Sequence, residues 1–250
     1  MGRLSYYMTK KAMMRSAAIS QGVIALFIVI NIFVPPEYHG VVTALYFVIF
    51  MSLFMLMSMR HQKLGGDAKD IVSGRKILVV KQEEVVQIQS KDLELVKELK
   101  PLLKASGVSL LSMVVVMVWF FLVYPNLVQP YFTVDSGGIS ERVLELLILY
   151  EVPVATSLLT QIASRRLVKK YVNVLRSVEV YNTGIIGKPG FAVKFPVQGY
   201  VVRVCPSRKF LDFVKSEGGV EVLFRIYTDS VDRLTEVISK YGKTSVVKVT

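Results

Sequence analysis

Residues 139–170, ISERVLELLILYEVPVATSLLTQIASRRLVKK, decide how the rest of the chain is read. From Val143 to Ala163 the only charged side chains are Glu145 and Glu151, and the run matches the roughly 20 apolar residues that cross a bilayer as a helix. It ends on four cations, Arg165, Arg166, Lys169 and Lys170. Near its middle sits Glu151, ~12 Å in from the end nearest Val143 at ~1.5 Å per residue. A carboxylate at that depth costs several kcal/mol, of order ~3, unless it is paired, wetted or protonated. Two residues on, Pro153 has no N–H to give the Leu149 carbonyl. An acid beside a broken hydrogen-bond ladder is what an ion or proton site could use. It is also what a helix-packing site uses, with the protonated acid bonded to Asn31, Gln21 or a serine of another helix.

Three further apolar stretches lie upstream, at 17–34, 41–59 and 109–124. The chain is 52% hydrophobic with a mean hydropathy of +0.48, more apolar than a soluble domain of 250 residues. The first stretch is longer than the ~7–15 apolar residues of a signal peptide, and Pro35-Pro36 follows it rather than a small-residue cleavage site. It is read as a retained helix. The sequence therefore predicts a membrane α-helical bundle of four transmembrane helices plus a cytoplasmic α+β domain.

The net charge of +12 is localised. Residues 1–16 carry four cations and no acid, 60–106 ten cations and seven acids, and 164–250 sixteen cations and seven acids. The intervening segments hold Arg142 against Glu37, Asp135, Glu141, Glu145 and Glu151. The positive-inside rule then predicts a multi-pass cell-membrane protein with both termini and the middle loop in the cytoplasm, and 35–40 and 125–139 outside. This accounts for the basic charge without nucleic acid, and none is expected as a partner. The expected partners are the lipid bilayer, a protein partner or a second copy of the chain. Anionic lipids are added at Arg165, Arg166, Lys169 and Lys170, where each cation near the surface contributes about 1 kcal/mol.

Four segments follow. Residues 1–59 hold the amino-terminal segment and first hairpin. In 60–106, a β-like pair, KILVV and VVQIQ, precedes a helix KDLELVKELKPLLKAS that Pro101 ends or kinks. Residues 107–163 form the second hairpin, and 164–250 the α+β domain, which 60–106 is expected to complete. That domain reads as strands SVEVYNTGIIG, FAVKF, YVVRVCP, KFLDFV and VEVLFRIYT, then a helix SVDRLTEVISKYG with Val231, Leu234, Val237, Ile238 and Tyr241 on one face. A last strand, TSVVKVT, closes the chain. The order of strands and helix over 176–242 resembles pleckstrin-homology-like domains. The whole chain, with its paired hairpins and polar carboxyl-terminal region, resembles archaeal four-span membrane proteins of an uncharacterised family, a likeness that implies no activity.

Motifs of catalysis are absent. GIIGKPG at 184–190 has the wrong spacing for a phosphate loop and Pro189 where a hydroxyl belongs. There is no GxSxG or HExxH, and the one cysteine, Cys205, builds neither a disulfide nor a metal cluster. His39 and His61 fall on opposite membrane faces, and Met51, Met55 and Met59 read as packing. No cofactor, metal or catalytic residue is assigned. The expected function is a non-enzymatic anchor or scaffold presenting its cytoplasmic domain to a protein partner or the inner leaflet. The alternative is a small transporter, channel or insertion factor built on Glu151, Pro153 and Asn31.

Overall fold

In the computed structural model, residues 10–35, 38, 41, 67–132, 138–217 and 219–249 are described. They divide between a helical unit, drawn from 10–41, 102–132 and 138–168, and a polar unit, drawn from 67–101 and 169–249.

The helical unit starts with α1, Lys10–Phe33. In chain order α2 (Asp67–Val72) and α3 (Gln82–Gln89) belong to the polar unit, and α4, Leu93–Val118, is shared between the two. Past Val118 that helix widens into a π-helical stretch, Trp119–Val128, and tightens into a last 3-10 turn, Gln129–Tyr131. Pro125 lies in the widened part, where it has no N–H to offer a regular ladder. The long helix α5, Ile139–Leu167, carries Pro153 in its interior. Ile24, Phe27 and Ile28 of α1, spaced three and four apart, bury against Leu146 and Tyr150 of α5. Phe27 meets Tyr150 edge to face, with ring centres 5.5 Å apart. Elsewhere the apolar side chains point outward: Leu110 is 67% exposed and Phe121 76%. Helices apolar on their outer faces suit a lipid solvent.

The polar unit is built on two sheets. β1 (Lys76–Val80), β3 (Ser177–Tyr181), β4 (Gly184–Lys188) and β5 (Phe191–Lys194) form an antiparallel sheet in the order β1-β3-β4-β5. The second sheet takes β2 (Lys170–Val174), β6 (Val201–Cys205), β7 (Phe210–Glu217), β8 (Val220–Tyr227) and β9 (Val246–Lys248) in the order β2-β8-β7-β6-β9. Its outer strands run parallel to their neighbours and its inner pairs antiparallel. One core joins the sheets, with the Phe191 ring of β5 packed at a tilt against Phe213 and Phe224. Between β8 and β9, α6 (Val231–Gly242) buries Val231, Leu234, Val237 and Ile238. On the other side of the first sheet α2 inserts Ile71, fully buried, beside Tyr181 and Ile186. Gly184 makes the room, since a Cβ there would fall 2.8 Å from Ile71 Cγ1 and 2.5 Å from the Val193 carbonyl.

Three readings of the sequence are corrected. The four-helix transmembrane bundle with a separate cytoplasmic α+β domain is not the architecture. Among the described residues two helices are long and apolar enough to cross a membrane, Leu93–Tyr131 and Ile139–Ser164. Of α1, the apolar helix among the described residues is Gln21–Phe33, which is shorter than these two. The stretch 42–59 lies outside the described residues. The remainder folds as two sheets, and β1 of the first comes from between the apolar stretches. Second, VVQIQ is helical: Glu83 and Glu84 sit in the first turn of α3, where the helix dipole favours acids. Val85 and Ile88, three apart, form its buried face. Third, of the two outcomes read for Pro101, the ending is overturned, for α4 runs through it and merges with the apolar stretch that follows.

Candidate functional site

Glu151 is half-buried on α5, and its Oε2 accepts a hydrogen bond from Gln21 Nε2 of α1 at 3.1 Å. Asn31 does not reach it; that amide is buried and donates to the Phe27 carbonyl of its own helix at 2.9 Å. The Leu149 carbonyl, which Pro153 deprives of its usual helical donor, takes one from outside the helix: the indole N–H of Trp119 donates to it at 3.1 Å. One turn away, Tyr124 OH donates to Glu145 Oε1 at 2.7 Å, with Arg142 Nη1 4.0 Å from the other oxygen. Thr156 and Thr160 turn their hydroxyls back onto the Val152 and Thr156 carbonyls, each at 2.8 Å. The polar groups of α5 thus bind it to its neighbours or to itself. Trp119, Tyr124 and Glu145 were not among the residues singled out from the sequence. The signal for Trp119 was present, in a single tryptophan lying inside an apolar span instead of at its edge.

Of the basic candidates, Arg166 is exposed in the last turn of α5, and Lys169 and Lys170 are exposed where β2 begins. The side chain of Arg165 lies outside the described set, as do His39 and His61 and the three methionines.

The polar unit holds a second constellation. Arg225, 2% exposed on β8, forks onto Asp212 of β7 with Nε and Nη2 each 2.9 Å from a carboxylate oxygen. Its Nη1 lies 2.7 Å from Glu98 Oε2, and its guanidinium stacks 3.7 Å from the centre of the Phe210 ring. Arg208 reaches Glu98 Oε1 and Asp92 Oδ2, both at 2.7 Å, and Tyr227 OH donates to Asp92 at 2.6 Å. Beside them Glu84 Oε1 accepts from Thr228 OH at 2.7 Å and from the Asp229 backbone at 2.9 Å. Asp92, Glu98 and Glu84 come from the α3–α4 segment and the rest from the second sheet and the turns that adjoin its strands. The constellation therefore clamps one onto the other, alongside the apolar contacts of Val85, Ile88 and Leu95.

Burial opposes the charge on Arg225, but the hydrogen bonds and charge of Asp212 outweigh it and hold the guanidinium firmly protonated. Burial pushes the Asp212 carboxyl up from its ordinary value, with Arg225 opposing. Burial would also raise Asp92; the hydrogen bonds from Arg208 and Tyr227 reverse this and hold it below the usual carboxylate range. Tyr227 is raised by burial and by its bond to Asp92, and stays a neutral donor. These groups pair with one another, and Glu98 Oε2 meets the Arg225 charge without a hydrogen bond. A charge in the middle of each of two apolar strands, FLDFV and VEVLFRIY, was the sequence signal for the pair. Among the described residues no group of three or more His, Cys, Asp or Glu side chains is arranged to hold a metal.

Compared with known proteins, residues 15–241 match the model of a family described as "Predicted membrane protein (DUF2208)". The match covers most of the chain, and the chain belongs to that family. No curated protein and no solved structure matches it.

Proposed function

We propose that this member of a family of predicted membrane proteins is a non-enzymatic anchor or scaffold, its helical unit holding the polar unit at the cytoplasmic face for a protein partner or the inner leaflet. One observation carries the choice over transport. Glu151, the residue on which a transport or insertion reading rests, is bonded to Gln21, and the carbonyl freed by Pro153 is bonded to Trp119. Both contacts are of the kind that joins helices in lipid, contributing about 0.6 kcal/mol each. The charge pattern supports multi-pass insertion with both termini inside, and the exposed Arg166, Lys169 and Lys170 suit contact with anionic headgroups. The reading of 176–242 as pleckstrin-homology-like rests on two three-stranded meanders, β3 to β5 and β6 to β8, followed by α6.

The test is flux. The full chain, reconstituted in vesicles loaded with a pH-sensitive dye, is expected to pass protons and potassium no faster than empty vesicles. Flux above that level, abolished by Glu151→Gln, would replace the scaffold with a transporter. The topology has its own check: a cysteine placed at Asp135 is expected to react with an impermeant reagent from outside the cell, and labelling only from the cytoplasm refutes the orientation.

A further inference from the structure

We propose that Trp119, Leu149 and Pro153 form a clasp, a conformational device that holds the broken turn of α5 and so fixes where Glu151 meets α1. Regular helices need no outside donor, because residue i supplies its N–H to the carbonyl of residue i−4. Pro153 cannot do so, and a carbonyl left without a donor in lipid is costly. Two remedies exist: a neighbouring helix supplies a donor, or water enters the break. Here the neighbour does so, with the indole N–H of Trp119 3.1 Å from the Leu149 oxygen.

The placement of the donor has a cause of its own. Trp119 is the first residue of the π-helical stretch Trp119–Val128. Widening the helix there displaces the side chains that follow relative to a regular α-helix, and such stretches mark sites where a helix performs more than packing. Trp119 is thus a donor set on a helix that departs from regularity at that residue, facing an acceptor on a helix that departs from regularity four residues before its proline.

Glu151 lies between the two ends of the break, two residues after Leu149 and two before Pro153. On one side the turn is held by Trp119, and on the other Glu151 accepts from Gln21 at 3.1 Å. Three helices are therefore linked through one turn that lacks an internal bond. Because the ladder of α5 lacks one bond there, opening the clasp frees the turn to bend, and the Gln21 contact opens with it. Trp119 and Pro153 are one energetic unit, although 34 positions apart in the chain. Trp119 is a positioning residue for Glu151, whichever role that acid plays.

The experiment is a double-mutant cycle on the full chain in detergent, with Trp119→Phe and Pro153→Ala. Alanine at 153 restores the missing N–H, so Leu149 no longer needs the indole. Trp119→Phe is expected to lower the thermal midpoint of the wild-type chain, and to lower that of the Pro153→Ala chain by about half as much or less. Equal losses in both backgrounds would overturn the clasp. Where Trp119→Phe fails to fold, Pro153→Ala alone decides. The chain has a single tryptophan, so its emission reports this indole without interference. Loss of the carbonyl partner is expected to shift the emission maximum, and an unchanged spectrum refutes the proposal. A third arm reads the link to α1: Gln21→Leu is expected to shift the same emission in wild type, and no shift would sever Glu151 from the clasp.

Discussion

Replacing Arg225 by leucine removes the cation from a cluster that already has more acid than base. In the native fold Arg208 and Arg225 face Asp92, Glu98 and Asp212. Asp212 is 3% exposed and can call on no water when its partner goes. Breaking a buried ion pair from one side costs ~3–5 kcal/mol, because the remaining charge stays buried and unmatched. The stacking of Arg225 on Phe210, at 3.7 Å, adds about 1 kcal/mol to the loss. A protein of two units does not unfold in a single step, so a local readout is needed. Cys205 supplies one: it is the only cysteine, lies 3% exposed on β6, and pairs in register with Phe210. Its thiol reacts only when the second sheet opens. If opening is fast relative to labelling, the total of ~4–6 kcal/mol becomes a roughly 10³- to 10⁴-fold faster reaction at ~1.4 kcal/mol per factor of ten. The double change Arg225→Leu, Asp212→Leu is expected to recover part of that loss, since it leaves no orphan on β7. A rate for Arg225→Leu within about tenfold of wild type would refute the view that this cluster holds the sheet to the α3–α4 segment.

Three further outcomes follow from the same structure. Gly184→Ala places a methyl against the Val193 carbonyl and Ile71, and is expected to cost about 1–3 kcal/mol, read as faster exchange of the β4 amides. Gln21→Leu is expected to cost the helical unit only ~0.6 kcal/mol, while Glu151→Gln keeps an acceptor for Gln21 and costs less, both read as thermal midpoints in detergent. In acid Asp212, held above its ordinary 3.8 by burial, favours the fold, and the loss comes from Asp92, whose pKa in the fold lies below its ordinary 3.8. Its contribution is fully present above pH 3.8 and fades as pH falls through the depressed value. Glu179, lowered by the Tyr181 hydroxyl and by Lys76, acts in the same direction from its ordinary 4.5. The strand signal in circular dichroism is expected to be flat from neutral pH down to the mid-4 range and to weaken below it. Weakening that begins near pH 6 would point to other groups.

Local pattern was enough for some of this protein and not for the rest. The helix at 231–242 was legible because its apolar residues recur at three and four: Val231, Leu234, Val237 and Ile238 are buried, while Tyr241, read onto the same face at its last turn, is exposed. KILVV was legible as a strand for the parallel reason, a short β-branched run. The segment after it was not. VVQIQ carries the composition of a strand and the spacing of a helix, and the acids of the first turn together with the core around Val85 and Ile88 decided for the helix. Nor could a window of hydropathy show that α4 runs through Pro101.

What the sequence determined by itself about Glu151 was a need: an acid and a freed carbonyl in an apolar helix both require partners, whatever the fold. Which partners answer was decided only by tertiary structure. Gln21 lies 130 residues from Glu151 and Trp119 lies 30 from Leu149, distances over which no periodicity carries information. The same holds for Arg225 and Asp212. Their strands announced two charges in apolar surroundings, and only the antiparallel register of β7 on β8 made them opposite numbers. Hydrogen bonds and ion pairs depend on contact at ~3 Å, and contact between remote segments is a property of the packed chain.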